Sequence, residues 1–82
     1  MSSMHPISSQ TVDAKISELG ITDTQSQDLI RRVVNIFASQ VGKNIMSNVL
    51  HYCSPELERM TEDERSKCRR ALFELFAPSN PE

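Results

Sequence analysis

Residues 25–52 carry more apolar side chains than one face of a helix can bury. A surface helix of a globular protein usually buries a single apolar stripe. A helix that is apolar over so wide an arc must be covered on more than one side, by its own chain, a second copy or a partner protein. The apolar residues of this run are Leu29, Ile30, Val33, Val34, Ile36, Phe37, Val41, Ile45, Met46, Val49 and Leu50.

Apolar residues also recur at helical spacing outside this run, and no segment shows the sustained two-residue alternation of a strand. We therefore predict an all-α fold, a small helical bundle of three to four helices with a long central helix. That central helix either continues through Gly42, at about 1 kcal/mol relative to alanine, or kinks or breaks there. The turn-forming residues 42–44 favour the kink or break. A first helix over 11–19 precedes it, with Gly20 as its C-terminal cap at positive φ.

The composition of the two ends predicts the domain boundaries. Residues 1–10 are rich in serine, and residues 77–82 contain two prolines, so we expect both to be flexible tails. Residues 11–76 form a single helical domain. A chain of 82 residues buries only roughly 60–65% of the surface that its unfolded form exposes, so oligomerisation or partner binding is a common source of further stability.

Three residue patterns predict helix starts. Thr24 opens a Thr-x-x-Gln pattern and Thr61 a Thr-x-x-Glu pattern, both typical of a capping box at a helix N-terminus. Ser54 followed by Pro55 predicts that the central helix ends there and that a short turn follows over 55–60.

Charge and cysteine content predict the cellular setting. The net charge of −2 does not favour binding to phosphate backbones, and no apolar stretch reaches the ~20 residues of a membrane span. The first residues do not resemble a signal peptide, so we expect a cytoplasmic, reducing compartment. Cys53 and Cys68 are expected to be reduced, partly buried thiols; a regulatory disulfide between them is the alternative.

No catalytic or ligand-binding motif was found in the sequence. His51 and Cys53 are two residues apart, so on a helix their side chains point about 200° apart and cannot form a dyad. The last helix resembles the entering helix of an EF-hand, but no calcium loop follows it. We therefore predict that the protein is not an enzyme and has no cofactor and no metal site.

An imperfect helix-turn-helix supports the alternative function, a small nucleic-acid-binding regulator. Residues 37–42 resemble the end of a first helix and the start of its turn, but Lys43, Asn48 and His51 occupy positions where apolar residues are expected. A glycine kink in a core helix explains the pattern better.

The last helix carries a basic surface. Two of its basic residues fall four positions from an acid, in the pairs Asp63–Lys67 and Arg70–Glu74. A solvated face is the favoured interpretation, and a docking surface for an acidic protein partner is the best functional alternative. The basic residues are Arg65, Lys67, Arg69 and Arg70.

The leading hypothesis is a non-enzymatic protein-interaction module, such as an adaptor, a chaperone or an inhibitor of a larger protein. It would bind through an exposed apolar helical surface and form a homodimer, with no role for a membrane. The predicted partner-binding residues are Arg31, Arg32, Phe37, Ile45, Met46, Leu50, Phe73 and Phe76.

Overall fold

The computed structural model describes residues 7–37, 40 and 45–76, and this part of the chain contains four helices and no strand. The all-α prediction is therefore confirmed. The helices are α1 (Ser9–Glu18), α2 (Thr24–Phe37), α3 (Met46–Leu57) and α4 (Glu62–Phe76). Since α1 begins at Ser9, residues 9 and 10 belong to a helix and not to the predicted tail. Residues 1–6 and 77–82 of the two predicted tails lie outside the described residues.

Most of the described residues of the apolar run 25–52 lie in two helices. α2 ends at Phe37, and Ile45, directly before α3, is not helical. One continuous central helix is therefore wrong, while Gly42 itself lies outside the described residues. α2 and α3 pack against each other, so each helix covers part of the wide apolar surface of the other. This packing explains how so much apolar surface is buried within one chain.

The core lies around α2 and α4. Each of these two helices packs against the other three, and within the described residues α1 and α3 make no contact with each other. The buried hydroxyl of Ser26 donates a hydrogen bond to Sδ of Met60 at 3.6 Å. The buried apolar residues are Val12, Ile16, Ile21, Leu29, Ile30, Val33, Val34, Ile45, Val49, Cys53, Leu57, Met60, Cys68, Ala71, Leu72, Leu75 and Phe76.

The N-terminus of α2 is capped by Asp23, and the predicted cap at Thr24 is wrong. The carboxylate of Asp23 accepts a hydrogen bond from the backbone N–H of Ser26 at 2.8 Å. Thr24 is already the first residue of the helix, so its hydroxyl is not at the capping position. Burial works to raise the pKa of Asp23, but its hydrogen bonds from Ser26 outweigh burial and leave that pKa lowered. The predicted cap at Gly20 is supported by its φ of +69°.

The capping box at the start of α4 is confirmed. The Thr61 hydroxyl accepts from the Glu64 backbone N–H at 3.1 Å, and the Glu64 carboxylate accepts from the Thr61 N–H at 3.1 Å. Each of these two bonds satisfies a backbone donor that the helix leaves unpaired.

The predicted break at Ser54 and Pro55 is wrong, because α3 continues through Pro55 to Leu57. Proline inside a helix removes one backbone hydrogen bond and disfavours the helix by about 3 kcal/mol. Cys53 and Leu57 lie on either side of it, one turn apart, and both side chains are buried in the core. The burial of these two side chains outweighs the local preference of proline.

Candidate functional site

A groove of about 360 Å³ lies between α3 and α4. The short connection over 58–61 makes the two helices antiparallel neighbours, so the end of α3 faces the start of α4. The lining residues are Leu50, Ser54, Leu57 and Glu58 from α3 and the turn after it, and Arg65 and Arg69 from α4. The groove is therefore open to solvent between one wall of two leucines, a serine and a glutamate and one basic wall.

The end of the groove near Leu50 is extended by further apolar residues. Phe73 follows Arg69 by four residues and Met46 precedes Leu50 by four, so each continues the same helix face by one turn. Phe73 is 58% exposed, and Met46 and Leu50 are only partly buried against the core. The groove thus has an apolar end, formed by Met46, Leu50 and Phe73, and a charged end.

The predicted basic surface is divided between paired and unpaired side chains. Nζ of Lys67 lies 3.3 Å from the Asp63 carboxylate, and Nε of Arg70 lies 3.0 Å from the Glu74 carboxylate. These are the two i,i+4 pairs expected from the sequence, and they neutralise both cations.

Arg65 and Arg69 differ from these two paired residues. Neither arginine has an ion-pair partner among the residues that the structure describes, although Glu58 also lines the groove. Two arginines against one glutamate leave the charged end of the groove positive. These two residues are therefore the part of the basic surface that remains available to a ligand.

Arg31 and Arg32 were predicted to lie at the rim of an interface, and the structure places both in ion pairs within the chain. Arg31 Nη2 lies 2.7 Å from the Asp13 carboxylate of α1. The Arg32 guanidinium donates to both oxygens of Glu56 on α3, at 2.7 and 3.1 Å, and to Asp28 at 2.7 Å. The two arginines join α2 to its neighbours and do not line the groove.

Two predicted partner-binding residues belong to the core, so their predicted role is wrong. Ile45 is 5% exposed and Phe76 is fully buried, so neither presents a surface to a partner. Phe37 is partly buried because its ring packs edge-to-face against Phe76 at 6.5 Å and against Tyr52 at 6.1 Å between centroids. Of the predicted apolar anchors, Phe73 is exposed, and Phe37, Met46 and Leu50 are partly buried.

Several surface residues were missed by sequence reasoning. Ser54 and Glu58 line the groove and follow Leu50 at four-residue spacing, on the same side of α3. Sequence reasoning did not group these three residues, because it expected the helix to end at Pro55. Outside the groove, Ile36 and Tyr52 are 49% and 37% exposed, and helical periodicity alone could not separate these from buried neighbours.

The two cysteines are poor nucleophiles in this fold. Both are free thiols and fully buried. Burial raises the pKa of Cys53 to about 11 and, with the nearby Cys53 as a second cause, that of Cys68 to about 12. His51 is exposed on α3 while Cys53 faces the core, so the two side chains point apart as their spacing predicts. In the described ranges, no three His, Cys, Asp or Glu side chains are grouped closely enough to hold a metal ion.

Only part of the predicted helix-turn-helix lies within the described residues. Asn48 and His51 are exposed on α3, whereas Lys43 and most of the proposed turn lie outside the described residues. No helix in the described part has the length and apolar character needed to cross a membrane.

No protein-family model matches the chain, and comparisons with curated proteins and with solved structures give no significant match.

Proposed function

We propose that this chain is a non-enzymatic protein-interaction module that binds another protein in the groove between α3 and α4. The observation that carries the proposal is the combination of exposed Phe73 with the unpaired arginines Arg65 and Arg69 along one helix face. Aromatic and arginine side chains contribute most often to binding energy at protein interfaces. A groove between two helices is also a common receptor for a segment of another chain.

The groove fits this role better than the other exposed apolar surface, around Ile36 and Tyr52. The charged groups beside that surface are satisfied within the chain, since Arg32 bonds to both Glu56 and Asp28. At the groove, the two arginines have no such bonds in the described part of the chain. A partner that supplies carboxylates would therefore gain ion pairs there without breaking existing ones.

A cytoplasmic adaptor, chaperone or inhibitor of a larger protein is the form of this function that we favour. Both cysteines are free and buried, which suits a reducing compartment.

Site-specific photo-cross-linking in a lysate of the native cells tests the proposal. Benzoylphenylalanine would replace Phe73 in one variant and Ser17 in the other. Ser17 is exposed on α1, which does not pack against α3 in the described ranges. We expect position 73 to give one discrete protein adduct and position 17 to give none. Adducts that are the same from both positions, or absent from both, would contradict the proposal.

A matched pair of variants shows whether the groove itself is responsible. With the cross-linker at Ser54, Phe73→Asp should abolish the adduct, and Ile36→Asp should preserve it. Both replaced side chains are exposed, but only Phe73 lies one turn from a groove-lining residue on the same helix, Arg69. An adduct of twice the mass of the chain would identify a second copy as the occupant. Loss of the adduct on nuclease treatment would support the nucleic-acid regulator instead.

A further inference from the structure

We infer that the segment bound in this groove is an acidic amphipathic helix of a different protein, with two carboxylates one turn apart and a large apolar side chain one turn from the acid that contacts Arg69. This inference rests on the proposed function, because it identifies the chemistry of the partner at the same groove. It follows from the order and spacing of groups along α4 and from the side chains that face them on α3.

The two arginines set the spacing of the carboxylates. Arg65 and Arg69 are four residues apart, which places them about 6 Å apart along the axis of α4. Two acids at i and i+4 of a neighbouring helix have the same separation. A helix lying along the groove can therefore present one carboxylate to each guanidinium. Such charge-assisted hydrogen bonds are stronger than those between neutral groups.

The apolar end of the groove determines where the partner helix carries its large apolar residue. Phe73 lies one further turn along α4, about 6 Å beyond Arg69. On α3, Leu50 lines the groove and Met46 precedes it by one turn; both are only partly buried, so they extend the apolar surface on that side. The partner should therefore carry Leu, Ile, Met or Phe three or four residues from the acid that contacts Arg69, after the acid pair in a helix parallel to α4 and before it in an antiparallel helix.

A second copy of this chain does not supply the required pattern. The acids of α1 are Asp13 and Glu18, five residues apart, and α2 and α3 each contain one acid. In α4 the acids are adjacent at residues 62–64, and the next is Glu74. Within the described helices, no two acids lie three or four residues apart. A helix with two acids one turn apart is therefore better supplied by another polypeptide than by the described helices of a second copy.

Nucleic acid is also a poorer fit than an acidic helix. A phosphate backbone running past Arg65 and Arg69 would meet the carboxylate of Glu58 in the same groove. The three acids at residues 62–64 precede the arginines on the same helix. A discrete pair of carboxylates can contact the two arginines without extending over this acidic region.

Selection from a display library of random peptides, about four helical turns long, on the purified full chain tests the inference. We expect enrichment of peptides that carry Asp or Glu at two positions four apart, with a large apolar residue one turn before or after the pair. The affinity of a selected peptide should fall by roughly tenfold or more for the double change Arg65→Glu with Arg69→Glu, because attraction becomes repulsion. Exchanging the two acids of the peptide for lysine should restore binding to that variant.

The matched control is the double change Arg31→Glu with Arg59→Glu, which alters the net charge equally at two arginines outside the groove. It should leave the affinity within about twofold, well below the tenfold expected for a lost contact. Circular dichroism would show that both charge-reversed variants are folded. Phe73→Ala provides an independent test, since it should weaken the same peptide without a change of charge.

The possible failures can be told apart. Groove-binding peptides without paired acids would overturn this inference and leave the proposed function in place. The absence of any groove-binding peptide, together with the absence of an adduct at position 73, would overturn both. A dimer in sedimentation that becomes a monomer on reversal of Arg65 and Arg69 would make a second copy the occupant. Competition between an oligonucleotide and the peptide would favour nucleic acid, and either result would refute the inference.

Discussion

The guanidinium of Arg32 donates two hydrogen bonds to the carboxylate of Glu56, at 2.7 and 3.1 Å, and thereby joins α2 to α3. This pair lies beside the segment of α3 that contains Pro55, where the backbone has lost a hydrogen bond. The hydrogen bond from Arg32, with its charge, lowers the pKa of Glu56 although partial burial opposes the shift. The ion pair thus makes the packing of two helices sensitive to pH.

We predict that part of the stability of the fold is lost in acid through Glu56. Its pKa in the folded chain lies below the ordinary value of 4.5, so its contribution is complete above pH 4.5 and decreases as the pH falls through the folded pKa. Because both side chains are partly exposed, Glu56→Gln should lower the free energy of unfolding by only about 0.5–1 kcal/mol at neutral pH. Urea unfolding at about pH 7 and about pH 3 measures this, and the difference between wild type and variant should shrink in acid.

The control for this prediction is Glu58→Gln. Glu58 has no ion-pair partner in the part of the chain that the structure describes, so its loss should change the free energy of unfolding by no more than about 0.5 kcal/mol. A difference between wild type and Glu56→Gln that does not depend on pH would show that the pair with Arg32 does not form in solution.

Phe73 and Phe76 should respond very differently to truncation, although they lie three residues apart on α4. Phe76 is fully buried, so Phe76→Ala should lower the free energy of unfolding by about 3–5 kcal/mol, enough to unfold much of so small a domain. Phe73 is 58% exposed, and Phe73→Ala should cost no more than about 0.5 kcal/mol. Thermal melts followed by circular dichroism compare the two. Similar losses would mean that the ring of Phe73 is covered in the free chain.

The N-terminal cap of α2 is Asp23, so replacement of Asp23 should destabilise the fold and replacement of Thr24 should not. Asp23→Ala should lower the free energy of unfolding by about 1 kcal/mol, because the Ser26 N–H loses its acceptor. Thr24→Ala should be neutral within about 0.5 kcal/mol. Denaturant titrations measure the free energy of unfolding of the two variants. A larger loss for Thr24→Ala than for Asp23→Ala would place the cap at Thr24. Thr61→Ala serves as a positive control, because its hydroxyl caps α4.

The buried thiols should resist modification in the folded chain. With pKa values raised to about 11 for Cys53 and about 12 for Cys68, little thiolate exists near pH 8. A thiol reagent such as dithionitrobenzoate should therefore react with them far more slowly than with glutathione, and urea below the unfolding midpoint should accelerate the reaction. Rapid reaction of either thiol in the native chain would revive the redox-switch hypothesis.

The parts of the fold that sequence reasoning predicted are those with strong local signals. The reciprocal cap at Thr61 and the positive φ at Gly20 depend on residues within one turn of the helix end. Asp23 and Thr24 are both good capping residues in adjacent positions, and propensity alone did not choose correctly between them. At Pro55 the sequence pattern wrongly predicted a helix end. The burial of Cys53 and Leu57 in the core keeps α3 helical there, and tertiary burial cannot be recognised from neighbouring residues alone.

The groove was predictable only in part, for the same reason. The i,i+4 pairs of Lys67 and Arg70 follow from sequence spacing, and within the described residues they leave Arg65 and Arg69 as the unpaired cations of the basic surface. Periodicity could not show that Phe76 points into the core while Phe73 points outward, since both extend the apolar arc of α4. That distinction depends on where α2 lies, since Phe37 of α2 packs against the ring of Phe76.

The hydrogen bond between Ser26 and Met60 has a consequence for damage by peroxide. Conversion of a methionine to its sulfoxide adds an oxygen to the thioether and makes the side chain polar. The Met60 sulfur is enclosed in the core and already accepts the Ser26 hydroxyl, so a peroxide can reach it only when the domain opens. Met46 on α3 is only partly buried, so its sulfur is more accessible to peroxide than that of Met60. Mild peroxide would therefore alter the apolar end of the groove first and leave the interior intact.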